Sequence, residues 1–266
     1  MTLYDWIVTY VLTGLFGVCV GSFLNVVIYR VPNGMSVATP ASHCPSCGYV
    51  LKWYDNVPVL SYIFLGGKCR SCRARISPQY AAVELANMLL WLLSVAVFWE
   101  KSIVLAVLAA LASSLMICVF FIDLAHQLIF DRFVIMMGLI GIAATVFDTA
   151  YGWRSHLIGG VVGFVSFYLI AWSFEKIRGV EGLGGGDIKL TGVCGLLLGW
   201  ERLLLSIFIA TVSASIVLLA LSRKKSDSDE EGGAEYPFAP FLTSGFAIAM
   251  FFGEDIIEWY LSLIGA

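Results

Sequence analysis

Long apolar runs separated by short polar segments occupy most of the chain. Several of these runs approach the ~20 residues that a helix needs to cross the hydrocarbon core of a bilayer. We predict eight membrane helices, which lie at about residues 6–28, 81–99, 102–122, 133–151, 157–174, 188–200, 203–222 and 238–264. The sixth run is too short to cross at full thickness. We therefore expect it to be a half-helix, deeply buried, or continuous with a neighbouring helix.

The composition agrees with this pattern, because 59% of the residues are hydrophobic and only 13% are charged. Soluble globular domains carry about twice that fraction of charged residues. The fold class that we predict is an all-α polytopic membrane protein with about eight transmembrane helices. The N-terminus lacks the basic region and small-residue cleavage site of a signal peptide, so we expect the first helix to be retained.

The basic residues predict the orientation of these helices, since Lys and Arg of short loops stay on the cytoplasmic side. With the N-terminus outside, the outside loops hold three of them: Lys101, Arg154 and Arg202. The inside loops then hold the other thirteen: Arg30, Lys52, Lys68, Arg70, Arg73, Arg75, Arg132, Lys176, Arg178, Lys189, Arg223, Lys224 and Lys225. The prediction of eight spans agrees with this bias.

One large polar segment, residues 31–79, follows the first predicted helix and contains two Cys-x-x-Cys pairs. Four of the seven cysteines form these pairs: Cys44, Cys47, Cys69 and Cys72. Two such pairs about twenty residues apart are typical of a zinc site, in which four thiolates surround one tetrahedral ion. Four thiolates leave no position for water, so we predict a structural zinc ion, and a reducing cytoplasmic location argues against disulfides.

Two aspartates stand at the ends of apolar runs, where a carboxylate is costly and therefore suggests function. Asp123 closes the third predicted helix, and Asp187 follows a glycine-rich stretch and opens the sixth. The predicted orientation places both acids at the cytoplasmic edge of the membrane. Two carboxylates that share one proton can perform acid–base chemistry on a peptide bond, so we predict that Asp123 and Asp187 are a catalytic pair.

Each aspartate also has a simpler interpretation when it is taken alone. Asp187 at a helix start is suited to N-capping, and Asp123 is suited to reaching water from the interface. The glycines before Asp187 do not indicate a dinucleotide site, because no strand precedes them. Glu84 is a further candidate polar residue, although an acid near a helix start also interacts favourably with the helix dipole.

Five stretches of the chain carry a resemblance to a known family. They are residues 21–30, 53–62, 83–85, 182–190 and 237–242, to which the paired cysteines are added. On these stretches the chain resembles the type IV prepilin peptidases, aspartic proteases of the bacterial inner membrane that also N-methylate the new pilin N-terminus. The cysteines make it more similar to the bifunctional members than to the peptidase-only members.

The resemblance implies cleavage of a type IV prepilin or pseudopilin after a glycine, at the end of a short basic leader. Methyl transfer from S-adenosylmethionine then follows, and Asp123 and Asp187 take the catalytic positions. We expect the lipid bilayer to be a further partner, and we expect no nucleic-acid partner. The family usually has Pro-Asp eight residues after the first acid, whereas this chain has Phe130 and Asp131. Asp131 is therefore a weaker candidate, which we expect to form an exposed ion pair with Arg132.

These expectations define three parts of the chain. They are the first membrane helix at residues 1–30, a cytoplasmic tetracysteine loop associated with methyl transfer at 31–79, and an aspartic peptidase membrane domain at 80–266. Two other functions stay open: a proton- or cation-coupled transporter, and a non-catalytic scaffold for pilus or secretion assembly. The two halves of the chain show no inverted repeat, a feature that many transporters have. The residues of the methyltransferase site cannot be identified from the sequence.

Overall fold

The computed structural model describes residues 2–148, 151–180, 182–225 and 236–265. Eight long helices correspond one to one to the eight predicted segments. They are α1 (Leu3–Arg30), α3 (Gln79–Phe98), α4 (Ile103–His126), α5 (Asp131–Phe147), α6 (Gly152–Arg178), α7 (Gly185–Leu198), α8 (Trp200–Lys225) and α9 (Ala239–Ile264). A short helix, α2 (Leu60–Phe64), and a 3₁₀ turn (Trp53–Asp55) lie in the loop. The prediction of an all-α membrane protein is confirmed.

Six of the long helices are long and apolar enough to cross a membrane: α1, α3, α4, α6, α8 and α9. The other two are shorter, with 17 residues in α5 and 14 in α7. At 1.5 Å per residue, α7 extends about 21 Å, which is less than the ~30 Å of hydrocarbon. The expectation that the sixth segment is too short to cross alone is therefore confirmed.

The chain divides into two compact units, Met1–Cys118 and Val119–Ala266, and the division falls within α4. In the first unit, α1 packs closely on α3 through two glycines. A Cβ atom on Gly21 would lie 2.8 Å from the Cα of Glu84, and one on Gly17 would lie 3.0 Å from the Cα of Met88. Small residues of this kind let membrane helices approach one another without a bulky side chain between them.

The second unit is built around α7, which packs against α5, α6, α8 and α9. The contact with α6 is made between glycine backbones. A Cβ atom on Gly159 would lie 2.4 Å from the carbonyl oxygen of Gly195, and one on Gly195 would lie 2.1 Å from that of Gly159. On its other faces α7 buries Leu190, Cys194 and Leu198 completely. This short helix is therefore the core of the unit.

The C-terminal end of α7 is held by two buried cationic or polar side chains. Arg202 Nε donates a hydrogen bond to Leu198 O at 2.6 Å, and His156 Nδ1 lies 3.0 Å from Leu196 O. Asp148, at the end of α5, accepts a hydrogen bond from Arg202 Nη2 at 3.0 Å. Carbonyls in the last turn of a helix lack intrahelical partners, so these contacts satisfy two of them where α7 stops.

Candidate functional site

Asp123 lies in the last turn of α4 and is 5% exposed. The backbone N–H of Ala239, at the start of α9, donates a hydrogen bond to Asp123 Oδ2 at 3.2 Å. This contact joins two segments that are 116 residues apart in the sequence. Sequence reasoning missed the role of Ala239, although the stretch 237–242 that contains it was among those that carry the resemblance.

Asp187 is the third residue of α7, which begins after Gly184 as its N-cap. The Asp187 side chain makes no capping hydrogen bond, so the simpler interpretation of Asp187 as the N-cap is wrong. Its Oδ1 atom is buried and has no hydrogen-bond partner among the described residues. The two carboxylates are close enough for the charge of Asp123 to act on Asp187. The structure thus brings the two predicted acids together within the second unit.

A glycine brings the start of α7 close to the segment that follows Asp123. A Cβ atom on Gly186 would lie 2.8 Å from the Cβ of Ile129, whereas one on Gly185 would meet nothing within 4 Å. Within the glycine-rich stretch, Gly186 is therefore the residue whose backbone lies close to the Ile129 side chain.

Asp131 takes no part in this pair of acids. Its Oδ1 accepts a hydrogen bond from Lys189 Nζ at 2.8 Å, and both side chains are at least half exposed. The expected exposed ion pair therefore exists, but the expectation that Arg132 is the partner is wrong. The guanidinium of Arg132 instead lies over the Phe130 ring, 5.3 Å from its centre.

A cavity of about 590 Å³ opens beside the Asp131–Lys189 ion pair. Apart from that pair its walls are apolar and come from α5, α6 and α7, among them Ile135, Val161 and Phe164. Lys189 follows Asp187 by two residues along α7, a spacing that places the two side chains on roughly opposite sides of the helix. Asp123 and Asp187 are not among the residues that line this cavity.

The four paired cysteines lie together in the first unit, with their sulfur atoms all within 4.8 Å of one another. The Sγ atoms of Cys44 and Cys72 are 3.8 Å apart, and those of Cys47 and Cys69 are 4.0 Å apart. Four sulfurs around a tetrahedral zinc at ~2.3 Å are separated by about 3.8 Å. The cluster can therefore hold one metal ion, and its geometry fits zinc.

The two cysteine pairs sit on turns with the same hydrogen bonds. Cys44 N donates to Tyr49 O at 2.9 Å, and Cys69 N donates to Ala74 O at 2.8 Å. Backbone N–H groups of Ser46 and Cys47 point at the Cys44 sulfur and lower the pKa of this thiol to about 6. A thiol with a lowered pKa is readily deprotonated, and the thiolate is the form that binds metal.

Asp55 supports the cysteine cluster from one side, and sequence reasoning did not single it out. It is buried and accepts hydrogen bonds from Tyr49 Oη at 3.0 Å and from Arg70 Nε at 2.5 Å. Burial alone raises the pKa of Asp55, but hydrogen bonds from Arg70, Lys52 and Tyr49 outweigh it, so the pKa is lowered. Since Arg70 follows Cys69, this ion pair connects the 3₁₀ turn to the second cysteine pair.

Two family models together match most of the chain. The model described as the bacterial peptidase A24 N-terminal domain matches residues 15–98, and the one described as the type IV leader peptidase family matches residues 109–219. No solved structure matches the chain.

Full-length relatives named prepilin leader peptidase/N-methyltransferase are also similar to this chain. The one from Pseudomonas aeruginosa is 33% identical over 300 residues, which cover 100% of this chain and 99% of the relative. The one from Burkholderia pseudomallei strain 1026b is 34% identical and covers 94% of this chain and 86% of the relative. The one from Myxococcus xanthus is 37% identical, and the match covers 83% of this chain and 68% of the relative.

Proposed function

Because the chain belongs to the type IV leader peptidase family, in which its relatives are enzymes with peptidase and methyltransferase activity, we propose that it processes prepilins in two steps. In the first step it cleaves the basic leader of a type IV prepilin or pseudopilin after a glycine. In the second step it N-methylates the new N-terminal residue with S-adenosylmethionine as the donor.

One observation carries the peptidase part of this proposal. Asp123 and Asp187 come from helices that are distant in sequence, yet their carboxylates interact, and Asp187 Oδ1 is buried without a partner among the described residues. A buried polar atom that lacks a partner requires an explanation. A water molecule or a substrate carbonyl between the two acids would supply the missing hydrogen bond, as in an aspartic peptidase.

The chemistry follows from two carboxyl groups that share one proton. The ionised carboxylate takes a proton from water as the water oxygen attacks the scissile carbonyl carbon. The other carboxyl gives its proton to the carbonyl oxygen, which forms a neutral tetrahedral intermediate. When the C–N bond breaks, the first carboxyl protonates the leaving amine and the second recovers a proton from the intermediate. Both groups return to their starting states, so the pair is ready for another cycle.

The methyltransferase part of the proposal assigns this activity to the loop between α1 and α3 and its surroundings. A zinc ion would be held by the four paired cysteines, Cys44, Cys47, Cys69 and Cys72. With four thiolate ligands it would have no open position for a substrate, and it would stabilise a loop that is too small to fold around its own core. S-adenosylmethionine, when bound, supplies an activated methyl group. The Asp55–Arg70 ion pair holds the loop around the cysteine cluster.

We place the enzyme in the bacterial inner membrane, with the acids facing the cytoplasm. The support comes from the bias of basic residues described above. The proximity of the two acids supports a common membrane depth, because the charge of Asp123 acts on Asp187 although they come from α4 and α7. The bilayer and the prepilin are then the partners of the chain.

Isosteric substitutions of the two acids test the peptidase. The variants Asp123→Asn and Asp187→Asn should each lower leader cleavage by about a hundredfold or more, since proton transfer by a positioned group contributes on this order. Mass spectrometry of a co-expressed prepilin reports the cleavage position and the N-methylation together. Asp131→Asn is the matched control, because it removes an exposed carboxylate near the acids, and it should cleave normally.

The same experiment separates the other two functions. A transporter would produce no cleaved peptide in any variant, and a scaffold would tolerate both substitutions with pilus assembly intact. Normal cleavage by either Asp123→Asn or Asp187→Asn, at wild-type protein levels, would contradict the proposal.

A further inference from the structure

Glu84 is a buried carboxylate within a membrane helix, and the peptidase chemistry does not use it. It is the sixth residue of α3, about 7.5 Å along the helix from its start, and is 7% exposed. Its Oε2 accepts a hydrogen bond from the backbone N–H of Val59 at 2.7 Å, and the Ser22 side chain is also within hydrogen-bonding reach. Among the described residues, no Lys, Arg or His forms an ion pair with it.

Polar side chains and a close backbone contact surround Glu84 where α3 packs on α1. Gly21 of α1 packs on the Glu84 backbone, where any larger residue would collide. One turn to either side, Asn25 Nδ2 donates to Tyr80 O at 3.0 Å and Asn87 Nδ2 donates to Gly17 O at 2.7 Å. Both amides donate to backbone carbonyl oxygens and not to the Glu84 carboxylate, which therefore has neither of them as a partner.

The loop backbone at Val59, which contacts Glu84, is strained. Val59 has a φ of +60°, a conformation that a β-branched residue rarely adopts and that costs about 1–3 kcal/mol. Its N–H group is the donor to Glu84, so the carboxylate holds the strained segment against α3. Val59 belongs to the loop that carries the four cysteines, which connects Glu84 to the part of the chain proposed for methyl transfer.

We propose that Glu84 is the anionic residue of the methyl-transfer site and binds an organic cation there. This inference rests on the proposed methyltransferase function. Methyl transfer to an amine involves two such cations, the sulfonium of the methyl donor and the α-ammonium of the cleaved acceptor. A carboxylate near the hydrocarbon core without a counterion attracts either of them strongly, because the charges are weakly screened there.

The reaction keeps one positive charge near this carboxylate. The acceptor ammonium first gives a proton to water, and the amine lone pair then attacks the methyl carbon. The C–N bond forms as the C–S bond breaks, and the electron pair of that bond stays on sulfur as a neutral thioether. The positive charge thus moves from sulfur to nitrogen, and the product ammonium releases its proton to water. Glu84 takes no proton in this scheme and acts by its charge.

An alternative role for Glu84 is to anchor the Val59 segment, and Glu84→Gln separates the two. Glutamine keeps an acceptor for the Val59 N–H but removes the charge. If Glu84 binds a cation, full-length Glu84→Gln enzyme in nanodiscs should methylate a mature-form peptide at least about tenfold more slowly at limiting concentrations of donor and acceptor. Leader cleavage should stay within about twofold of wild type. Glu100→Gln, which removes an exposed acid after α3, is the matched control.

Binding measurements show which cation is held. Loss of at least about tenfold in affinity for S-adenosylmethionine, with unchanged affinity for neutral-sulfur S-adenosylhomocysteine, assigns the sulfonium. Unchanged donor binding with weaker binding of the free-amine peptide, but not of its N-acetylated form, assigns the ammonium. If neither binding step changes and methylation is normal, Glu84 is only an anchor and the inference is overturned. Equal losses for charged and neutral ligands would also overturn it.

Two further outcomes keep the test decisive. If Glu84→Gln does not accumulate, the wild-type enzyme itself must prefer at least one cationic ligand over its neutral counterpart by about tenfold. Equal affinities within both pairs would reject the inference. If wild-type enzyme cleaves leaders but neither binds the donor nor methylates, the proposed methyltransferase function fails, which is a different result from a failure of Glu84.

Discussion

Gly48 and Arg73 occupy equivalent positions in the two cysteine turns, yet only one of them is glycine. Their φ angles are +69° and +60°, in the left-handed region that glycine adopts without strain. Each N–H group donates to the carbonyl of the first cysteine in its pair, Gly48 to Cys44 and Arg73 to Cys69. The second turn therefore carries backbone strain that the first does not.

This difference predicts opposite effects of two substitutions on zinc affinity. Gly48→Ala should weaken zinc binding about fivefold, because strain of about 1 kcal/mol in the folded loop reduces the coupled binding energy. Arg73→Gly should bind zinc at least as tightly as wild type, since it removes strain. Competition with a chromogenic chelator measures both affinities. Equal weakening by the two variants would show that the turn conformation does not limit zinc binding.

Some contacts of single side chains could be predicted from the sequence and others could not. The cysteine spacing predicted the metal cluster, because its four ligands come from two local turns. The predicted partner of Asp131 was wrong because the actual partner, Lys189, lies 58 residues away. A sequence neighbour such as Arg132 gives no information about so distant a contact. The simpler interpretation of Asp187 as the N-cap of α7, which was weighed against the catalytic pair, is wrong because Gly184 is the N-cap and makes no side-chain hydrogen bond.

The ends of α6 and α8 show why helix boundaries are harder to predict than helix existence. The sequence predicted α6 from residue 157 and α8 from residue 203, whereas they begin at Gly152 and Trp200. Polar residues at these ends, His156 and Arg202, were taken as parts of loops. Both are buried instead, and Asp148 lies beside them, 3.4 Å from His156 Nε2 and 3.0 Å from Arg202 Nη2. Both side chains contact residues that are distant in sequence: Arg202 pairs with Asp148, 54 residues away, and His156 Nδ1 lies beside Leu196 O, 40 residues away.

The contact between α6 and α7 depends on Gly159 and not on its neighbour Gly160. A Cβ atom on Gly159 would lie 2.4 Å from a backbone oxygen of α7, whereas one on Gly160 would lie 3.4 Å from a Leu196 side-chain atom, an ordinary contact. Gly159→Ala should therefore separate the helices at a cost of about 1–3 kcal/mol. Because α7 carries Asp187, leader cleavage should fall together with thermal stability in detergent.

Gly160→Ala is the matched control for this prediction. It adds the same methyl group to the same helix and improves helix propensity by about 0.5–1 kcal/mol. Its thermal stability and cleavage rate should equal or exceed those of wild type. If the two alanine variants behave alike, close packing of α6 on α7 does not position the candidate site.

The two compact units divide the candidate residues between them. The four cysteines and Glu84 lie in Met1–Cys118, and Asp123 and Asp187 lie in Val119–Ala266. Hydropathy predicted the helices of both units, but it could not predict a division inside α4, because one continuous apolar run contributes to both. The division of the chain at residues 30 and 79 stays a prediction about function, since the loop is where methyl transfer was expected.

The distribution of these residues predicts that zinc removal separates the two activities. The four paired cysteines lie in the loop of the first unit, and every contact described for Asp123 and Asp187 lies in the second unit. Chelation, or Cys44→Ser, should therefore lower N-methylation at least about tenfold, since structural zinc contributes much of the folding energy of such loops. Leader cleavage should stay within about twofold.

Cys19→Ser is the matched control, because this exposed cysteine of α1 lies outside the cluster. Mass spectrometry of the prepilin product gives both modifications from one sample, and added zinc should restore methylation after chelation. Equal loss of cleavage and methylation in Cys44→Ser, at wild-type protein levels, would mean that the loop supports the acids as well. In that case the two activities would depend on one folded structure, and the assignment of methyl transfer to the first unit would lose its main support.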